Sequence, residues 1–240
     1  MEHYRGAFQN PAMYLAPLTS GALLASAAHA AFRPERLGLA GKSLCGFALA
    51  IGASGFGFHL YNLAKREGGI DWLNLLYGAP IGAPFALALA GLAALAGSSL
   101  VAQTDAAPLL FGTPPGRAIA AASSAALIGT ACEAALMHFR GAFHDPFMYA
   151  PVTLPVIAAA ALAAANFRPR MITTARRLLQ ATVALGLIGV GFHLYGISRN
   201  MGGFGNLSQN LLNGPPLAAP PSFTGVALAG LAGLQLMEPA

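Results

Sequence analysis

Charge is what this sequence has least of. Only 9% of its 240 residues are Asp, Glu, Lys or Arg, where a soluble domain carries about 25%. Too little polar surface remains to cover a globule in water. Cysteine is scarce as well, at two residues, which excludes a disulfide-stapled scaffold. No phosphate-binding glycine loop with its Lys occurs. "GFGFH" is no dinucleotide fingerprint, since it lies inside an apolar run with no strand before it. The CxxCH haem attachment is missing. The opening "MEHYRGAFQNPAMY" does not read as a signal peptide. The polar stretches are too short for a soluble catalytic domain, so chemistry in water would belong to a partner.

What is present is apolar: 56% hydrophobic residues and a mean hydropathy of +0.60. The class is an all-α integral membrane protein. A crossing takes about 20 apolar residues, and seven runs qualify: 11–32, 40–62, 80–103, 117–137, 146–167, 175–196 and 216–236. Asn10-Pro11 and Asp145-Pro146 mark two helix starts, a capping residue followed by Pro at the first helical position. Phe32-Arg33-Pro34 and Phe167-Arg168-Pro169 mark two stops. Pro80 and Pro84 in the third run, and Pro215, Pro216, Pro220 and Pro221 in the seventh, predict irregular entries. Irregular backbone at that depth needs protein or water to satisfy it.

Lys and Arg fall in the short loops, where they set topology and do not indicate nucleic acid. Arg33, Arg36, Lys42, Arg117, Arg168, Arg170, Arg176 and Arg177 lie on one side. Arg5, Lys65, Arg66, Arg140 and Arg199 lie on the other. The heavier side is cytoplasmic, which puts the N-terminus outside and the C-terminus inside a bacterial-type inner membrane. Cys45 and Cys132 then sit near opposite faces, as separate thiols.

The chain aligns with itself. "HYRGAFQNPAMY" at 3–14 matches "HFRGAFHDPFMY" at 138–149. "GFHLY" at 57–61 matches 191–195, "NLLYGAP" at 74–80 matches "NLLNGPP" at 210–216, and "ALAGLA" at 88–93 matches 227–232. Gly68-Gly69 matches Gly202-Gly203. This predicts two parallel three-helix repeats, 1–103 and 138–240, joined by a connector with the fourth span at 104–137. Parallel repeats are related by an axis along the membrane normal. Most repeated polar residues fall on the outer side.

Gly52, Gly55 and His59 share one helical stripe at i, i+3 and i+7, and Gly186, Gly189 and His193 repeat it. Imidazole is the commonest metal ligand and an axial ligand of haem iron. Glycines beside it would clear space for a flat ring. Here the pattern resembles membrane cytochrome b subunits, whose haems sit between helices on paired histidines near glycines. The resemblance covers the second and sixth spans. It implies one b-type haem with His59 and His193 as axial ligands and Arg5 and Arg140 on its propionates. His29 has no counterpart, Ala164 standing in its place, so a second bis-His haem is not expected at the inner side. Glycine stripes also serve close helix packing, and a histidine near a helix end can be structural.

His3 and His138 form a second repeated pair, able to join His59 and His193 as metal ligands and make two sites instead of one. His144, Met13 and Met148 add soft ligands that would suit copper. Tyr14 and Tyr149 read as interface anchors. Glu133 is a candidate proton relay to a quinone. Together these features predict a membrane subunit that anchors a periplasmic oxidoreductase and passes electrons to quinone through haem b. The alternatives are a haem-free anchor or assembly subunit, and a small-molecule or ion transporter with interrupted helices.

Overall fold

The computed structural model describes residue 3 and residues 7–32, 38–102 and 112–238. Among these residues the regular structure is helical: α1 (Leu15–Phe32), α2 (Leu39–Ala64), α3 (Trp72–Tyr77), α4 (Gly82–Ala102), α5 (Pro115–Arg140), α6 (Ala150–Ala165), α7 (Ile172–Arg199), α8 (Leu207–Asn213) and α9 (Pro220–Gln235). Short 3-10 turns at Pro11–Tyr14 and Pro146–Tyr149 lead into α1 and α6.

Five stretches are long and apolar enough to cross a membrane: Pro11–Phe32, Leu39–Ala64, Pro115–Arg140, Pro146–Ala165 and Pro169–Arg199. They coincide with five of the seven predicted runs. Of the other two runs, the third folds as the apolar α4, Gly82–Ala102, of 21 residues, and the seventh is shorter. Helix α9 has 16 residues, about 24 Å long against about 30 Å of hydrocarbon. Proline is the reason. Pro215 and Pro216 stay outside the helix, which begins only at Pro220.

The chain divides into two compact units, Glu2–Leu110 and Phe111–Ala240. In the first, α2 packs along α4, and α1 lies against α2. In the second, α7 packs along α9 in the same way. The helix read as a connector, α5, belongs to this second unit, where it packs on α6 and α9. Its Ala120, Leu127 and Ala131 share a core with Ala158 and Leu162 of α6, Leu179 of α7, and Phe223 and Leu234 of α9.

Small residues set the closeness of both pairings. A Cβ at Gly52 would stand 2.7 Å from the Pro84 carbonyl oxygen and against the backbone of Ala88. A Cβ at Gly91 would stand 2.6 Å from both the Cys45 carbonyl oxygen and the Leu49 nitrogen. In the second unit, a Cβ at Gly186 would meet Thr224 and the Pro220 carbonyl oxygen, the latter at 2.7 Å. The Thr224 hydroxyl donates across the pair to the Val183 carbonyl at 3.1 Å. Lipid supplies no hydrophobic drive between helices, so such contacts carry the association.

Candidate functional site

One end of each unit gathers the start of its first helix in the repeat, the finish of its long helix and the start of its proline-led helix. The turn "RGAF" builds the first part. The amide of Phe143 donates to the His138 carbonyl at 3.1 Å, and that of Phe8 to the His3 carbonyl at 3.0 Å. To close this turn, Ala142 and Phe143 take φ of 54° and 46°, and Ala7 and Phe8 take 50° and 47°. Left-handed backbone costs a non-glycine residue about 1–2 kcal/mol. Two such residues in succession, at both places, are a strained device held by its surroundings.

Those surroundings can be named. The Asp145 carboxylate caps the following turn by accepting from the Phe147 amide at 2.9 Å, as Asn10 does from Ala12. Phe143 stacks on Tyr149 with ring centroids 4.6 Å apart, and Phe8 on Tyr14 at 4.2 Å. The two tyrosines, read as interface anchors, therefore also clamp the turn. His138 and His3 stand edge-on to these phenylalanines, at 6.1 and 6.3 Å.

The second part is the histidine of the long helix. His59 Nδ1 lies 2.6 Å from the Pro80 carbonyl oxygen, and His193 Nδ1 lies 2.7 Å from that of Pro216. A carbonyl only accepts, so Nδ1 carries the proton and donates. In the neutral ring Nε2 is then left with its lone pair. His3 makes the same kind of bond, Nδ1 to the Met13 carbonyl at 2.8 Å. His138 differs. The Met148 carbonyl lies in its surroundings, yet Nδ1 is buried without a partner in hydrogen-bond geometry.

These bonds bring the histidines together within each unit. The rings of His3 and His59 have centroids 6.3 Å apart at 68°. His138 lies within electrostatic range of His193. Among the described residues, no three His, Cys, Asp or Glu side chains gather into a metal-binding group.

Other expected site residues fall elsewhere. Gly52, Gly55, Gly186 and Gly189 do not border a clearing. Their faces are filled by the neighbouring helix, Gly55 by Pro84 and Gly189 by Pro220, because close packing is what their missing side chains allow. Beside the histidines it is Gly57 and Gly191 that are open, a Cβ there finding nothing within 4 Å. Arg140 is exposed at the end of α5, with its guanidinium 3.5 Å from the Met137 sulfur. Glu133 lies partly buried on α5. The exposed His144 bonds locally to the Gly141 carbonyl at 2.8 Å, and His29 sits in the last turn of α1. Met13 meets His3 through its backbone oxygen. Cys45 and Cys132 are free thiols. Arg5, Arg33 and Arg36 lie outside the described residues.

Sequence reasoning missed two asparagines. Asn74 donates to the carbonyls of Gly69 and Glu67 at 2.8 and 2.9 Å, and Asn210 to those of Gly203 and Met201 at 2.7 and 3.2 Å. Each braces a Gly-Gly turn of positive φ before the proline-led segment. Their signal was the repeated "NLL".

With five helices able to cross a membrane and no strand among the described residues, the class is an all-helical, multi-pass membrane protein. The chain matches no protein-family model, no curated protein and no solved structure.

Proposed function

We propose that the protein is a membrane electron-transfer and anchor subunit whose paired imidazoles ligate a redox metal centre, with haem b the first candidate. In this reading the chain crosses the membrane seven times as two parallel repeats. Its N-terminus is outside, its histidines lie near the outer face, and electrons pass from a periplasmic oxidoreductase to quinone.

The observation that carries it is the pair of bonds from His59 to Pro80 and from His193 to Pro216. Metal-bound histidines regularly donate their second nitrogen to a carbonyl, which fixes the tautomer and aims the other nitrogen. The donor set fits haem better than a bare ion. Two imidazoles per unit fall short of the four protein ligands of a structural zinc site and would be enough to hold a haem iron. A b haem, when bound, supplies one-electron transfer at its iron.

The glycine stripes do not fit their expected part, since α4 and α9 occupy that space. The ligand sets that suit the geometry are His3 with His59 and His138 with His193. Two imidazoles bound through nitrogen at about 2 Å to one ion have centroids roughly 5–6.5 Å apart, a range that includes the 6.3 Å between His3 and His59. The strained turn holds the first member of each pair in place.

The haem-free anchor has its own support. The proline carbonyls sit in interrupted backbone, where acceptors need donors from within the protein; Pro216 also accepts from the Ala219 amide at 3.2 Å, and a histidine that serves such a carbonyl requires no further role.

The test is to purify the protein in mild detergent, record oxidised and dithionite-reduced spectra, and measure bound metal. Haem predicts b-type bands that disappear in both His3→Ala and His59→Ala, or in both His138→Ala and His193→Ala, at unchanged yield. A colourless, metal-free protein of normal yield refutes the redox reading and leaves the anchor.

A further inference from the structure

The second face of α7 carries a different arrangement. Ile188, Gly191, Phe192 and Tyr195 line an open cavity of about 410 Å³. These four residues follow one side of the helix at i, i+3, i+4 and i+7. Gly191 is the notch in this surface, since a side chain there would project into open space. Phe192 and Tyr195 are 43% and 58% exposed, so the groove is bordered by partly open aromatic rings, with Phe147 packed on Phe192 at 5.0 Å between centroids.

A cation stands at the end of the groove. The Arg199 guanidinium lies 5.6 Å from the centroid of the Tyr195 ring and donates to the Tyr195 hydroxyl at 3.1 Å. That contact sets its position on the groove side of the helix. No salt bridge to Arg199 is found among the described residues; Glu238 of this unit pairs with Arg176. The lining from Ile188 to Tyr195 runs about 10 Å along the helix, and Arg199 stands one turn beyond it. An apolar channel of that length leading to a positive charge matches an acyl chain leading to a phosphate.

The first unit repeats the arrangement with different side chains. Gly57 is open, Phe58 and Tyr61 are 67% and 63% exposed, and the Lys65 ammonium lies 5.2 Å from the Tyr61 ring centroid. Lysine replaces arginine, so the fork geometry of the donor is not kept while its charge is. Ser54 replaces Ile188, so only the glycine, the aromatics and the cation are common. A requirement for charge next to tyrosine, at the end of an apolar groove, is the chemistry of an anionic lipid headgroup.

We propose that the Gly191 groove with Arg199 binds one anionic phospholipid, with the acyl chain lying along Ile188 and Gly191 and the phosphate at the guanidinium, and that Gly57 with Lys65 forms the equivalent site of the first unit. This does not rest on the redox reading.

The experiment is native mass spectrometry of the detergent-purified chain, equilibrated with equal amounts of phosphatidylglycerol and phosphatidylcholine of matched acyl chains. The wild type should retain up to two phosphatidylglycerol molecules, at several-fold excess over phosphatidylcholine. Arg199→Gln should lower the count by one, Arg199→Lys should restore it, and Gly191→Leu should block the chain and lower it with the charge intact. Equal retention of both lipids by the wild type overturns the proposal whatever the variants do. So does an Arg199→Gln protein that keeps both lipids, or a quinone in place of phospholipid that Gly191→Leu removes and Arg199→Gln does not.

Discussion

His193 and Pro216 are 23 residues apart in the chain, and the imidazole Nδ1 of one donates to the carbonyl of the other at 2.7 Å. The proline sits in a segment outside the helix, and its carbonyl accepts from two donors, the Ala219 amide at 3.2 Å and the histidine. Replacing His193 by Ala should lower stability by about 0.5–1.5 kcal/mol, the net worth of one hydrogen bond, since the Ala219 amide still satisfies the acceptor. Thermal unfolding in detergent, on protein free of any cofactor, measures this separately from loss of a ligand.

The glycines of the long helices should sort into two classes. Gly52→Ala and Gly186→Ala push a methyl group into the backbone of the facing helix. Each should destabilise by about 1–3 kcal/mol, as overpacking does. Gly57→Ala and Gly191→Ala meet open space and should be neutral or stabilising, by up to about 1 kcal/mol from helix propensity. Comparing unfolding midpoints of the four variants decides the matter. Equal effects would contradict the packing described.

The turn at Ala142 offers a test of strain. Ala142→Gly removes the Cβ from a residue at φ 54° and should raise stability by up to about 1 kcal/mol, because the gain of relieved strain exceeds glycine's entropy. Asp145→Ala should lower stability by about 1 kcal/mol through loss of the cap, and Asp145→Asn should keep it. If Ala142→Gly also weakens whatever His138 binds, the strain serves to hold that ring.

Helices were legible because apolar length is a strong signal. Asn10-Pro11 and Asp145-Pro146 were read as helix starts and act as such, through side-chain caps on the turns that follow. Irregular entries were predicted from Pro80 and Pro216, and both prolines do precede their helices. What could not be read was direction. Spacing places Gly52, Gly55 and His59 on one stripe but does not say what faces it. That stripe meets α4, and the open glycine beside the histidine is Gly57, two residues before it. The pairing of His3 with His59 was open to the sequence as one of two arrangements, and the rings do stand 6.3 Å apart. The short helices α3 and α8 lie in stretches read as loops, because six or seven residues give too little periodicity to register.

The position of α5 in the chain has a consequence for how the protein is made. Six residues of α6 are buried (Pro155, Ala158, Ala159, Ala161, Leu162 and Ala165), and α5 helps to cover them. In α1 the buried residue is Thr19. Helix α5 precedes α6, so the surface against which α6 packs has already been synthesised when α6 leaves the ribosome. Helix α1 packs on α2, which follows it in the chain. Two stretches with nearly the same motifs thus meet their packing partners in opposite order, the first before its partner is made and the second after.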